Sequence, residues 1–224
     1  MTFSTMTIGT VTMSTRIVLA EDHIIVRDGL RAILERDGFE IVAEVSDGLE
    51  AVKQAKDLQP DIAVLDLSMP NMNGITAAGE IRKVSERTRI ILLTIHTDRQ
   101  YVIGALRAGV HAFIAKSQAA KDLVQAIRLV SLGRTYLSPS ISQTVVDACL
   151  DGSSPTQDPL SPRERQVLQL VAEGKTTKEA AWILGISVKT AESHRTRIMS
   201  KLDVHETASL VRYAIKAGVV STDA

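Results

Sequence analysis

Three carboxylates are spaced so that an alternating strand and helix fold brings them together. Glu21 and Asp22 directly follow an apolar run at 16–20, and Asp66 follows another at 62–65. Taken singly, Asp22 reads equally well as the cap of the next helix and Asp66 as one more loop aspartate. Taken together, clustered negative charges repel one another and raise each other's pKa unless a cation is present. Mg²⁺ is the economical cation, because it prefers hard oxygen ligands, needs few carboxylates and keeps several waters.

The elements that must position these acids are legible in the pattern. Short β-rich runs at 16–20, 40–45, 62–65, 89–94 and 112–115 alternate with amphipathic stretches of helical length at 25–36, 48–58, 75–84, 99–108 and 119–132. Such alternation predicts a parallel sheet with helices on both faces, a flavodoxin-like (βα)5 fold of order 2-1-3-4-5. In that fold ligands bind outside the carboxyl ends of the strands where the order reverses, between strands 1 and 3. The acids lie there.

Beyond Gly133 the pattern changes. A short helix at 140–150 is followed by Asp151-Gly-Ser-Ser-Pro-Thr-Gln-Asp-Pro159, which has the composition of a flexible linker. After Leu160 only helices are expected. Ser161-Pro162-Arg163-Glu164 combines a capping box with proline at the first helical position, and Gly174 stands where that helix ends. Thr176-Thr-Lys-Glu179 is a second capping box, Gly185 a second stop, and Ser187 the cap of a third helix to about 202, before a fourth at 207–217. The expected units are a tail without ordered structure at 1–15, an α/β domain at 16–135, a helix and linker at 136–159, and a small all-α domain at 160–219.

The chain of 224 residues is 45% hydrophobic and 23% charged, a globular composition with no stretch approaching a membrane span. Its one cysteine, Cys149, excludes an internal disulfide and sites built from several thiolates. The opening residues lack the basic start and apolar core of a secretory signal, so a cytoplasmic location is expected. A start at Met13 is an alternative, since the first strand begins only at Arg16. The net charge of zero conceals a split: residues 1–159 hold 16 Lys and Arg against 19 Asp and Glu, whereas residues 160–224 hold 10 against 7. The basic C-terminal piece is compatible with nucleic acid as a partner.

Four segments, Ala20-Glu-Asp-His23, Val64-Leu-Asp-Leu-Ser-Met-Pro70 with Gly74, Leu93-Thr94 and Phe113-Ile-Ala-Lys116, resemble the signatures of receiver domains, in the required order at the ends of strands 1, 3, 4 and 5. The resemblance covers about residues 16–132. It implies that Asp66 is the phospho-acceptor and that Glu21, Asp22, Asp66 and the Ser68 backbone carbonyl surround Mg²⁺. Thr94 and Lys116 would meet the phosphoryl oxygens, with Thr94 and Phe113 as switch residues. These roles are chemically sound, since a carboxylate can accept a phosphoryl group as an acyl phosphate while metal and lysine neutralise the oxygens in transfer. Burial alone would also account for Phe113. An enzyme of the haloacid-dehalogenase kind is the competing reading. It requires an Asp-x-Asp nucleophile segment at the end of the first strand, and here the candidate nucleophile ends the third.

The helix predicted at 187–202 divides at 100° per residue, with Val188, Ala191, Ile198 and Leu202 on one face and Lys189, Glu192, Ser193, Thr196, Arg197 and Ser200 on the other. It follows a capped helix across a tight Gly185-Ile186 turn, as a helix-turn-helix requires. Residues 160–219 resemble the LuxR-type DNA-binding domain, through Leu160-Ser-Pro-Arg-Glu-Arg165, Glu173-Gly-Lys175, Lys178-Glu-Ala-Ala181 and the run from Ser187 to Leu202. The whole chain is therefore similar to NarL/FixJ-family response regulators. That implies a sensor histidine kinase, promoter DNA and a homodimer as partners. By position Glu192, Ser193 and Thr196 reach base edges, while Lys189, Arg195, Arg197 and Lys201 meet phosphates, assisted by Thr190 and Lys175. The fourth helix has a broad apolar side whose outer edge is a candidate dimer contact.

Overall fold

The computed structural model of the protein describes residues 14–150 and 159–220; most of the expected tail and linker, with the side chain of Cys149, lie outside them. Five parallel strands, β1 (Arg16–Ala20), β2 (Glu40–Val45), β3 (Ile62–Asp66), β4 (Arg89–Thr94) and β5 (Ala112–Ala115), alternate with α1 (Ile24–Arg36), α2 (Gly48–Leu58), α3 (Gly74–Val84), α4 (Arg99–Ala108) and α5 (Ala119–Ser131). A sixth strand, β6 (Tyr136–Leu137), extends the sheet to the order β2-β1-β3-β4-β5-β6. It corrects the expectation of five. Two residues carry no periodicity, and they become a strand only because β5 offers its free edge, where Tyr136 N–H donates to the His111 carbonyl and Ser138 N–H to that of Phe113.

Side chains alternate across the sheet as the strand period of two demands. Ile17, Leu19, Val64, Ile91 and Ile114 pack beneath α1 and α5, whereas Ala63, Leu65, Leu92 and Phe113 pack beneath α2, α3 and α4. Gly74 lets α3 start against the end of β3, since a side chain there would strike the Asp66 backbone carbonyl and Leu92. After β6 comes α6 (Pro139–Leu150), anchored by the wholly buried Ile141 and by Thr144, whose hydroxyl donates to the Thr97 carbonyl.

The C-terminal part is a helical bundle of α7 (Pro162–Ala172), α8 (Thr177–Ile183), α9 (Val188–Leu202) and α10 (Thr207–Lys216) around Val167, Leu168, Leu170, Ile198 and Leu210. Both capping boxes form: the Ser161 and Thr176 hydroxyls accept from the amides of Glu164 and Glu179, whose carboxylates accept in return from the cap amides. Ser187 caps α9, accepting from Thr190 N–H. Gly185, at φ 62°, takes the left-handed turn between α8 and α9. No helix among the described residues is long and apolar enough to cross a membrane.

Candidate functional site

The parallel register brings the ends of β1, β3, β4 and β5 side by side, and each presents one polar group. Glu21 follows β1 and is wholly buried, held by its N–H to the Val45 carbonyl and by the Arg27 guanidinium on its own carbonyl. Asp66 ends β3 at 2% exposure. Lys116 follows β5 and bridges the two acids, its Nζ lying 2.8 Å from Glu21 Oε2 and 2.9 Å from Asp66 Oδ1. Asp22 is partly exposed at the rim.

One lysine does not fully neutralise two buried carboxylates. Burial pushes the Glu21 carboxyl up, the charge of Asp66 adds to it, and Lys116 opposes both. Asp66 is likewise raised by burial against the pull of Lys116. Burial alone would lower the Lys116 ammonium, but Asp66 and Glu21 raise it, so it stays charged. Asp66 Oδ2 is buried with no hydrogen-bond partner. Glu21, Asp22 and His23 lie within reach of one ion, and the surplus negative charge with an orphaned carboxylate oxygen fits a hard divalent cation.

Thr94, wholly buried, ends β4 with its hydroxyl donating to the His96 carbonyl and accepting from His96 N–H at 2.8 Å. Phe113 is 1% exposed, in the core beneath α4. Tyr101 of α4 stacks on His96, two residues after Thr94, with ring centroids 4.9 Å apart. Sequence reading missed both rings. It gave no role to His23, whose Nδ1 lies 2.8 Å from Asp22 Oδ1 and whose imidazole that carboxylate holds above its ordinary pKa.

Beside the acids is a cleft of about 150 Å³ walled on one side by Asp22, Ser68 and Met69 and on the other by Gln169, Glu173 and Val219 of the helical bundle. No sequence signal places these bundle residues at the cleft, because only folding brings α7 to the β3–α3 loop.

The second candidate surface is α9. Lys189, Thr190, Glu192, Ser193, Thr196, Arg197 and Lys201 are exposed. Val188, expected on the inward face, is 41% exposed because it sits in the first turn, beyond the bundle. Two of the four cations are committed to the fold. Lys201 Nζ lies 2.7 Å from Glu164 Oε2, and although burial alone would raise it, Lys201 and Ser161 hold the Glu164 carboxyl down at about 2. Arg195 donates to the hydroxyls of Thr177 and Thr207 and is half-buried. Lys189 and Arg197 remain at the surface, and α10 buries Leu210 and Ala214 while Val211 and Ile215 are half-buried.

Comparison with known proteins identifies the two domains. Residues 17–128 match the response regulator receiver domain, and residues 158–214 match the LuxR family of bacterial regulatory proteins. The oxygen regulatory protein NreC of Staphylococcus carnosus (strain TM300) is 38% identical over 210 residues, covering 90% of this chain and 97% of that protein. Among solved structures, a LuxR-family two-component response regulator from Aurantimonas sp. SI85-9A1 is 37% identical over 62% of this chain and 99% of that one, with a TM-score of 0.59. A structure of the response regulator RcsB in complex with DNA is 29% identical over 90% of this chain and 98% of that one, with a TM-score of 0.56.

Proposed function

This chain belongs to the NarL/FixJ-type two-component response regulators, DNA-binding proteins that join a receiver to a LuxR-type domain, and from that membership we propose that phosphorylation of Asp66 by a sensor histidine kinase controls how it binds promoter DNA. The observation that carries the reading is the convergence of Asp66, Glu21 and Lys116 within ion-pair distance at the ends of three strands. Residues 16–135 act as the receiver, 136–159 as helix and linker, and 160–219 as the DNA-binding domain, in the cytoplasm.

Glu21, Asp22, Asp66 and the Ser68 carbonyl would hold Mg²⁺, which supplies charge neutralisation of the phosphoryl oxygens. Asp66 Oδ2, free of hydrogen bonds, attacks the phosphorus of the donor. A P–O bond to Asp66 forms as the bond to the phosphohistidine nitrogen, or to acetate in acetyl phosphate, breaks with its electron pair. Lys116 shifts from pairing the two acids to the phosphoryl oxygens, and the Thr94 hydroxyl leaves His96 to donate to them. Hydrolysis of the acyl phosphate by water resets the site. Phe113, packed under α4, follows the movement of β4 and β5.

In the DNA-binding half Lys189 and Arg197 meet phosphates, and Glu192, Ser193 and Thr196 meet base edges, with Thr190 beside them. Lys201 and Arg195, tied to Glu164 and to the two threonines, position α9 and approach the backbone from those tethers. A structure of two RcsB dimers bound to two parallel DNAs supports a dimer for this chain on DNA, with Val211 and Ile215 of α10 on the outer edge. One α9 reads few base pairs, so two half-sites about one helical turn apart supply the rest. Sedimentation velocity with and without phosphorylation tests this: the sedimentation coefficient is expected to rise to that of a dimer on phosphorylation, and an unchanged monomer that binds its operator more tightly would rule the dimer out.

A further inference from the structure

Lys116 stands where β5 ends and a single turn of 3-10 helix, Lys116–Gln118, begins. On one side β5 is held by β4, with Ala115 opposite Thr94. On the other it is met by β6, whose pairing runs no further than Leu137 opposite Phe113. Tyr136 N–H donates to the His111 carbonyl and Ser138 N–H to that of Phe113, so a ladder continued by one step would send Ala115 N–H to the Ser138 carbonyl. That carbonyl has already turned away to start α6, accepting from Ser142 N–H at 2.9 Å. The Ser138 hydroxyl takes its place and accepts from Ala115 N–H at 3.2 Å, across 23 positions of sequence. Ser138 is wholly buried, and α6 keeps it there through the buried Ile141 and the bond from Thr144 to the Thr97 carbonyl. A serine just before a helix is ordinarily a cap for that helix, so nothing in the sequence marks this one for β5.

We propose that Ser138 is a positioning residue for phosphoryl transfer to Asp66, its hydroxyl fixing the end of β5 from which Lys116 reaches the acids. This rests on Asp66 being the acceptor and on Lys116 meeting the phosphoryl oxygens. Without the hydroxyl, Ala115 N–H is a buried donor with no acceptor, which folded proteins avoid, so the strand end shifts to regain one. Lys116 is the next residue and moves with it. A lysine stem is flexible, but this side chain is only 18% exposed and lies between Glu21 and Asp66, so it has little room to make up the displacement. Its ammonium has to pass from two carboxylates to the oxygens of the incoming phosphoryl group, a step in which a misplacement of about 1 Å can cost up to about 10²-fold in rate. Because Ala115 also pairs with Thr94, the same hydroxyl steadies the second group that meets the phosphoryl oxygens.

The test uses the full chain with phosphoramidate, whose P–N bond breaks with loss of ammonia as the P–O bond to Asp66 forms. Ser138→Thr and Ser138→Val place the same shape at the site and differ only in the hydroxyl. At saturating Mg²⁺, Ser138→Ala and Ser138→Val are expected to label Asp66 about fivefold more slowly than wild type or worse, and Ser138→Thr to keep most of the rate. The Mg²⁺ concentration giving half the maximal rate is expected to stay level, because Glu21, Asp22 and Asp66 are untouched. In hydrogen exchange read by NMR, without metal or donor, the Ala115 amide is expected to exchange faster in Ser138→Ala and Ser138→Val. The amides of β1 and β3 are expected to stay level, which separates a loosened strand end from a loosened domain. Equal labelling rates in Ser138→Thr and Ser138→Val, or an Ala115 amide that exchanges alike with and without the hydroxyl, would overturn the role of Ser138 alone. Absence of label on Asp66 in every protein, wild type included, would overturn both that role and the phosphorylation reading.

Discussion

Asp66→Asn protein incubated with acetyl phosphate is expected to incorporate on the order of 10²-fold less phosphoryl group than wild type, and wild type in excess chelator to fall by a similar factor. The amide has no anionic oxygen with which to attack, and without a divalent cation Lys116 alone faces the charge of donor, Glu21 and Asp66. The substitution itself should leave the fold intact. Ionised Asp66 is 2% exposed and carries a pKa raised by burial, so exchanging it for a neutral amide removes a destabilising charge and leaves Glu21 with an undivided partner in Lys116. The melting temperature is therefore expected to stay level or rise, which separates loss of chemistry from loss of structure. Mass spectrometry of the intact chain and of the peptide containing Asp66 reads the result; undiminished label in Asp66→Asn would move the acceptor elsewhere.

Substitutions along α9 are expected to fall into three kinds. Arg197→Ala weakens binding to all sequences alike and reduces the slope of log K against log salt by about 0.9, the value of one lost phosphate contact. Glu192→Ala changes the preferred sequence at one position of the half-site, a discrimination of about 1 to 3 kcal/mol, and leaves the salt slope nearly unchanged. An acid turned toward DNA is unfavourable unless a base amino group occupies it, so loss of Glu192 relaxes preference more than it costs affinity. Lys201→Ala behaves as neither. It takes the cation from Glu164, which is held at about pKa 2 by that lysine and Ser161 and keeps its bond from Ser161 N–H, and with Lys201 itself 42% exposed the domain loses about 1 kcal/mol of stability while the salt slope changes less than for Arg197→Ala. Binding-site selection and salt titration of the three variants separate these outcomes, and identical behaviour of Arg197→Ala and Lys201→Ala would contradict the division of the helix.

What was legible in sequence followed from local rules. The alternation of apolar runs gave all five long strands, and Ser161, Thr176 and Ser187 announced three helix starts because a cap and its partner lie within one turn. Glu21, Asp22 and Asp66 could be grouped because a parallel sheet puts every strand's carboxyl end at one edge, and Thr94 and Lys116 joined them through the resemblance to receiver domains. What failed was non-local. The strand β6 is two residues long and exists only through its neighbour. The tethering of Lys201 joins residues 37 positions apart, and the Gln169 bonds to the β3–α3 loop span about a hundred. Helical periodicity assigned Val188 inward, but periodicity is blind to where a partner helix ends. His96 and Tyr101 come together at the start of α4 with no spacing motif to mark them.

Phosphorylation at Asp66 is proposed to govern DNA binding by this chain. Its most direct test is a titration of one operator fragment, at fixed salt, with wild type before and after phosphorylation and with Asp66→Asn treated identically. Wild type is expected to bind about tenfold more tightly or better once phosphorylated, a coupling of at least about 1.4 kcal/mol, and Asp66→Asn to show no change. Equal tightening of both proteins, or no tightening of phosphorylated wild type, would contradict the account.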